Sequence, residues 1–284
     1  MTAGAAPLGR GRWLAGIPDA IRDHPLPAFF VLAYAVSWVL LLVLGTVWGL
    51  PAAFVIFVQT LGPTVAARVV LTTMGGKPAY RDMRNRGRRW RVPARWYLLA
   101  VVGLPAACLA ATAVLPGGLD ALRGAAPVAM AATLVFYLVF GFFSGPLFEE
   151  PGWRGFALPR LERAHGPLAG TLILGVLWGA WHLPQFFLVP EWAAENGGAD
   201  PLTIAEFLIF VVTLSPLLTW VYNRTGGSLF LAMVTHAGIN ASLSMVPVLP
   251  SGPMSTGIIA FGAIAIALVV ATRGRLGYDP QALL

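Results

Sequence analysis

Three short stretches of this sequence place proton-transferring side chains in apolar surroundings. The first is Phe148-Glu149-Glu150-Pro151-Gly152-Trp153-Arg154, where two adjacent carboxylates follow an uncharged run from Ala125 to Phe148. On a helix Glu150 and Arg154 stand four apart and can pair. Pro146 and Pro151 argue that one helix stops and another starts, with Pro151 suited to the first helical position. That would put Glu149 and Glu150 at a helix N-terminus, where the dipole favours anions. The second stretch is Trp178-Gly-Ala-Trp181-His182-Leu-Pro184, a lone imidazole in an apolar run. The third is His236-Ala-Gly-Ile-Asn240, whose spacing sets imidazole and carboxamide on one helix face. Gly238 and Ala237 keep that neighbourhood small, so another group can approach closely.

Taken singly, each stretch has an ordinary explanation: a capped helix end, a histidine bonded across helices, or interhelical polar glue. Together they put two glutamates, an arginine, two histidines and an asparagine on three apolar segments that hold almost no other strongly polar side chains. Ionisable groups in a bilayer cost roughly 2.5–3.5 kcal/mol each on insertion scales, and they escape lipid by converging on one another or on a wet cavity. A carboxylate with imidazoles around such a cavity can activate water as a general base. A histidine and an asparagine can donate to a developing oxyanion. Together these are the chemistry of amide hydrolysis.

The elements that must hold these groups are membrane helices. The chain has 284 residues, is 57% hydrophobic and only 11% charged, against about 25% charged in a soluble domain. A membrane helix needs about 20 apolar residues. Pro25 to Ala67 is uncharged over twice that length and splits at Gly49-Leu50-Pro51; its second span should end near Met74, with Arg68 snorkelling to the surface. Thr225 to Thr272 is likewise double and breaks at Pro247-Val-Leu-Pro250-Ser-Gly-Pro253. Trp96–Pro116, Ala125–Phe148, Leu168–Val189 and Leu202–Tyr222 lie between. The expected fold is therefore all-α: a polytopic helical membrane protein of about eight transmembrane helices around an intramembrane polar cavity.

Charge orients this ladder. With the N-terminus inside, the loop Lys77–Arg95, the segment with Arg154, Arg160 and Arg163, then Arg224, Arg273 and Arg275 all fall inside. Of 19 basic residues only Arg123 falls outside. Topology thus accounts for the net charge of +7, and no nucleic-acid surface is implied. The expected organisation is a cytoplasmic segment over 1–24, a single membrane domain over 25–273 and a cytoplasmic tail over 274–284. No short apolar core with a cleavage site follows Arg10, Arg12 and Arg22, so no removable signal peptide is expected. Cys108, the single cysteine, reads as a packing residue rather than a nucleophile.

The three motifs resemble those of the CPBP intramembrane proteases, which include the CAAX prenyl endopeptidases and Abi proteins. That family shows Glu-Glu-x-x-x-Arg, Phe-x-x-x-His and His-x-x-x-Asn. Here Glu149-Glu150-x-x-x-Arg154 and His236-x-x-x-Asn240 match, and Trp178-x-x-x-His182 matches with tryptophan in place of phenylalanine. The resemblance covers roughly a third of the chain and places a catalytic core at about 125–250. It implies that Glu149 is the general base, polarising a water with His182. His236 and Asn240 would hold the oxyanion, and Glu150 and Arg154 would orient the first group. No cofactor is required in this reading. Zinc is possible, with Glu149, His182 and His236 as its ligands, although no His-Glu-x-x-His stands on one helix. The implied partners are a peptide or membrane-protein substrate and the lipid bilayer. Lys77 is the lone lysine, an arginine bias that suggests a high-GC prokaryote and its plasma membrane. Such a cell is expected to lack prenylated CaaX proteins, which favours a different substrate.

Two other classes compete: a proton-coupled transporter, and a non-catalytic scaffold or immunity protein on the same fold. The two halves show no repeat of broken helices of the transporter kind. A rhomboid-like serine site is disfavoured, because Gly141-Phe-Phe-Ser144-Gly145 is one residue too long for Gly-x-Ser-Gly. One geometric tension remains. On straight helices Glu149 sits near the cytoplasmic face, whereas His182 lies about 21 Å along its helix from Leu168. Either the segment around Pro146–Pro159 dips back into the membrane, or the fifth span starts later or tilts.

Overall fold

A computed structural model describes residues 17–252 and 254–280. Arg10, Arg12, Pro253 and residues 281–284 of the expected tail lie outside the described residues. Every regular element among them is helical. The main helices are α1 (Pro25–Val47), α2 (Ala52–Pro78), α3 (Arg95–Val114), α4 (Pro127–Val139), α5 (Pro146–Gly152), α6 (Leu158–His165), α7 (Pro167–Leu188), α8 (Pro201–Arg224), α9 (Leu229–Met245) and α10 (Ser255–Thr272).

Six of these, α1, α2, α3, α7, α8 and α10, are long and apolar enough to cross a bilayer. Valines and isoleucines such as Val31, Val176 and Ile266 stand exposed on them, as lipid-facing positions would. The two remaining apolar segments are shorter. Gly118–Gly124 bends by 96° onto α4, and α9 has 17 residues, about 25 Å of helix. The chain is an integral membrane protein of helical, polytopic type.

Prolines start half of these helices. Pro25, Pro127, Pro146, Pro167 and Pro201 each occupy a first position, where the missing N–H costs nothing. Asp200 caps α8, its Oδ1 accepting from the Leu202 and Thr203 amides at 3.0 and 3.1 Å. Ser228 caps α9 by accepting from the Leu231 amide at 3.1 Å. The second span breaks at Gly76 (φ 64°, ψ −155°), two residues past the expected end; only glycine adopts that conformation freely. Beyond it residues 77–87 are again helical, so the arginine-rich segment is not the open loop the charge pattern suggested. Arg86 there donates to the Tyr222 hydroxyl at 2.7 Å, tying it to α8.

The Ala125–Phe148 span is not a single helix. It is α4, a short turn Gly141–Ser144, and α5, which starts at Pro146 rather than at Pro151. Gly145 is extended there and Pro146 takes the first position, so Pro151 falls inside the helix and Glu149 and Glu150 sit within it. A π-helical turn, Trp153–Ala157, then leads into α6. The chain is broken between 139 and 165, and α7 starts at Pro167 as a long helix. Gly152 abuts Pro63 so closely that a Cβ would meet its backbone at 2.6 Å, and Thr64 donates its hydroxyl to the Phe148 carbonyl. These contacts press α5 against α2 on one side. On the other side α5 packs against α9.

Candidate active site

Glu149 and Glu150 are adjacent on α5 and both are buried. Glu150 is wholly enclosed, and its Oε1 does double duty. It accepts from Arg154 Nη1 at 2.9 Å, one helical turn on, and lies 2.8 Å from His236 Nδ1 on α9. A carboxylate only accepts, so Nδ1 carries the shared proton and Nε2 is the nitrogen left for chemistry. Arg154 is also wholly buried, held in the π-helical turn, a feature frequent at functional sites. Three charged or chargeable groups from two helices are thereby linked away from lipid.

Glu149 has a different partner. Its Oε2 accepts from the Trp178 indole Nε1 at 2.9 Å. Its Oε1 lies beside Gly145, where a Cβ would sit 3.0 Å away. The Trp178 ring carries Arg154 on its face, 4.4 Å from the centroid, and meets the His236 ring nearly edge-on at 5.1 Å.

The sequence-derived set is thus brought together unevenly. Glu149, Glu150, Arg154 and His236 converge, with Trp178 between them. His182 is one turn further along α7 and forms no hydrogen bond to that group. Its Nδ1 lies 2.9 Å from the Trp178 carbonyl, which can only accept, so Nε2 is its free nitrogen. Its ring is bounded by Trp181, Trp192 and Phe207 at 4.8, 6.3 and 5.2 Å. Asn240 lies one turn beyond His236 on α9, half-buried, and its carboxamide makes no hydrogen bond within the described residues. Gly238, between them, meets the Ala100 carbonyl: a Cβ there would be 2.5 Å from that oxygen. The group that the small Ala237-Gly238 neighbourhood admits is the backbone of α3.

Sequence reasoning missed Trp178 as a contact of the carboxylates. Its place one turn before His182 was visible, but a tryptophan in an apolar helix reads as packing. The zinc set does not assemble in this arrangement. Among the described residues no three His, Cys, Asp or Glu side chains are grouped to hold a metal ion. Glu150 rather than Glu149 contacts His236, and the His182 Nδ1 is engaged by its own helix.

Comparison with known proteins agrees with the region. Residues 131–242 match the family described as "Type II CAAX prenyl endopeptidase Rce1-like". Over 122 residues the chain is 25% identical to "CAAX prenyl protease 2" of Methanococcus maripaludis, covering 43% of this chain and 45% of that relative. Residues 131–242 contain all three motifs. Between residues 131 and 242 the chain is therefore similar to the CAAX prenyl endopeptidases of the CPBP family, the family that its motifs resemble.

Proposed function

We propose that this protein is an intramembrane endopeptidase that hydrolyses a peptide bond with a side-chain-activated water. The observation that carries the reading is the buried 2.8 Å contact between Glu150 and His236, which joins the first motif to the third beside a second carboxylate. Membrane helices meet the cost of burying such groups chiefly where function requires them.

In this reading Glu149 takes the proton of the attacking water, and His182 Nε2 faces the same water as second acceptor. Attack on the carbonyl carbon moves negative charge onto its oxygen. His236, held at Nδ1 by Glu150, donates from Nε2 to that oxygen. Asn240 donates from one turn along, with a carboxamide that has no competing internal bond. The proton held by Glu149 then passes to the leaving amine as the tetrahedral carbon collapses. Glu150 and Arg154 orient His236 and take no proton.

The substrate is a peptide or membrane-protein segment. We place the protein in a prokaryotic plasma membrane with both ends cytoplasmic, on the distribution of arginines. The relative's name makes a prenylated C-terminal peptide one arm of the assay and unprenylated peptides the other. Protein purified in mild detergent is expected to cleave at least one arm, with or without chelator. Glu149→Ala and His236→Ala, each checked for folding, are expected to abolish cleavage. Cleavage retained by Glu149→Ala refutes the assignment of the base.

A further inference from the structure

We propose that Trp178 is a positioning residue for Glu149, holding the base through its indole N–H in a way that phenylalanine at this point of the motif cannot. The inference rests on the protease reading above. It starts from the unequal treatment of two adjacent carboxylates. Glu150 receives two partners, the Arg154 guanidinium at 2.9 Å and the His236 ring at 2.8 Å. Glu149 receives a neutral donor, the indole at 2.9 Å.

That difference matters for a base. A guanidinium on Glu149 would orient it but stabilise the charge it must give up when it takes a proton. A neutral N–H orients the carboxylate at a smaller cost to its basicity. The indole also keeps the guanidinium occupied, since Arg154 lies over the ring face at 4.4 Å, an arrangement that cation–π attraction favours. One aromatic side chain therefore does two jobs: its edge fixes Oε2, and its face holds Arg154 where it serves Glu150. With Oε2 taken, Oε1 is left for water. It lies beside Gly145, where any side chain would crowd it, a Cβ sitting 3.0 Å away. Trp178 is itself rigid. It is 2% exposed, and its ring is wedged against His236 and His182 at 5.1 and 6.1 Å.

The test is Trp178→Phe, which keeps an aromatic ring and removes only the donor and part of the ring. In an active preparation we expect kcat to fall about 10- to 100-fold, the range for losing a hydrogen bond to a charged group, with KM unchanged. The acidic limb of the pH–rate profile is expected to move to higher pH, because an unsupported carboxylate holds its proton more tightly. The ionisable groups facing Glu149 are Glu150, Arg154 and His236, and this variant alters none of them. A merely structural role predicts a lower melting temperature with an unmoved pH profile, and that result overturns the proposal. So does wild-type kcat in Trp178→Phe.

A second measurement does not depend on turnover. In protein labelled with 15N at indole nitrogens, the resonance lost in Trp178→Phe is expected to shift strongly in Glu149→Ala and weakly in Glu150→Gln. No shift in Glu149→Ala overturns the contact. Failure of the protease reading shows differently: wild type is then inactive on every peptide arm while the indole resonance still reports Glu149.

Discussion

Removing the carboxylate at position 150 should cost far more than removing any other paired acid among the described residues. Glu150 and Arg154 are both fully enclosed, 2.9 Å apart, with His236 bonded to the same oxygen. Glu150→Ala strips Arg154 of the one carboxylate it pairs with among the described residues. Its Nε and Nη2 already lack hydrogen-bond partners, so solvent or another side chain cannot quickly compensate. Breaking one side of a buried pair costs about 3–5 kcal/mol. For a chain of this size each kcal/mol moves the midpoint by roughly 2–4 °C, so a fall of about 6–20 °C is expected. Arg123 and Asp120 form the internal control: they are separated by a similar 3.0 Å but are 69% and 84% exposed, and Asp120→Ala should leave the midpoint unchanged. The assay is thermal unfolding in detergent, read by tryptophan fluorescence, of Glu150→Ala, Arg154→Met and the double variant. The double variant should recover much of the loss, because it leaves no unpaired guanidinium behind. If Glu150→Ala melts within a degree of wild type, or the double variant is simply the sum of the singles, the buried pair is not a coupled unit and the reasoning fails.

Other expectations follow from particular contacts. Gly238→Ala forces a methyl to within 2.5 Å of the Ala100 carbonyl oxygen, so α3 and α9 must separate; about 1–3 kcal/mol of destabilisation is expected, seen as a lower midpoint with reduced activity. His182→Phe keeps the ring among Trp181, Trp192 and Phe207 but removes both nitrogens. It should melt close to wild type and lose at least about 100-fold in kcat, and retained activity would make His182 a packing residue only. Glu162, outside the membrane spans on α6, accepts from Asn223 Nδ2 at 2.7 Å, and burial pushes its carboxyl up from 4.5 to about 7. The folded state then holds the proton more tightly than the unfolded one. The sign therefore favours acid: the contribution is full below about pH 4.5, declines as pH rises towards 7 and stays lost above that, by an amount on the order of a few kcal/mol. Melting temperature against pH should show that slope in wild type and not in Glu162→Gln.

The helices were legible because lipid imposes a length and a composition that a sequence displays directly. The Gly49-Leu50-Pro51 break follows from backbone rules that act locally, whereas the helix that resumes beyond Gly76 was not read. The Glu150–Arg154 pair was legible for the same reason, since four residues on a helix is a fixed distance. What the sequence could not display is depth, the height at which one helix meets another. His182 and Trp178 differ by one turn on α7, and a straight-helix ladder cannot choose which of them faces α5. Two local facts decide it together. Pro146 starts α5 five residues earlier than Pro151 would have done, so Glu149 falls in the first turn of the helix and Glu150 just after it. Gly152 then lets α5 close to within touching distance of the Pro63 backbone, which sets where Glu149 stands against α7. At that height the neighbour is an indole N–H, and the imidazole one turn away is turned to its own helix carbonyl. Motif order located the three helices that build the site, while the choice of side chain at each contact depended on a proline and a glycine that carry no chemistry of their own.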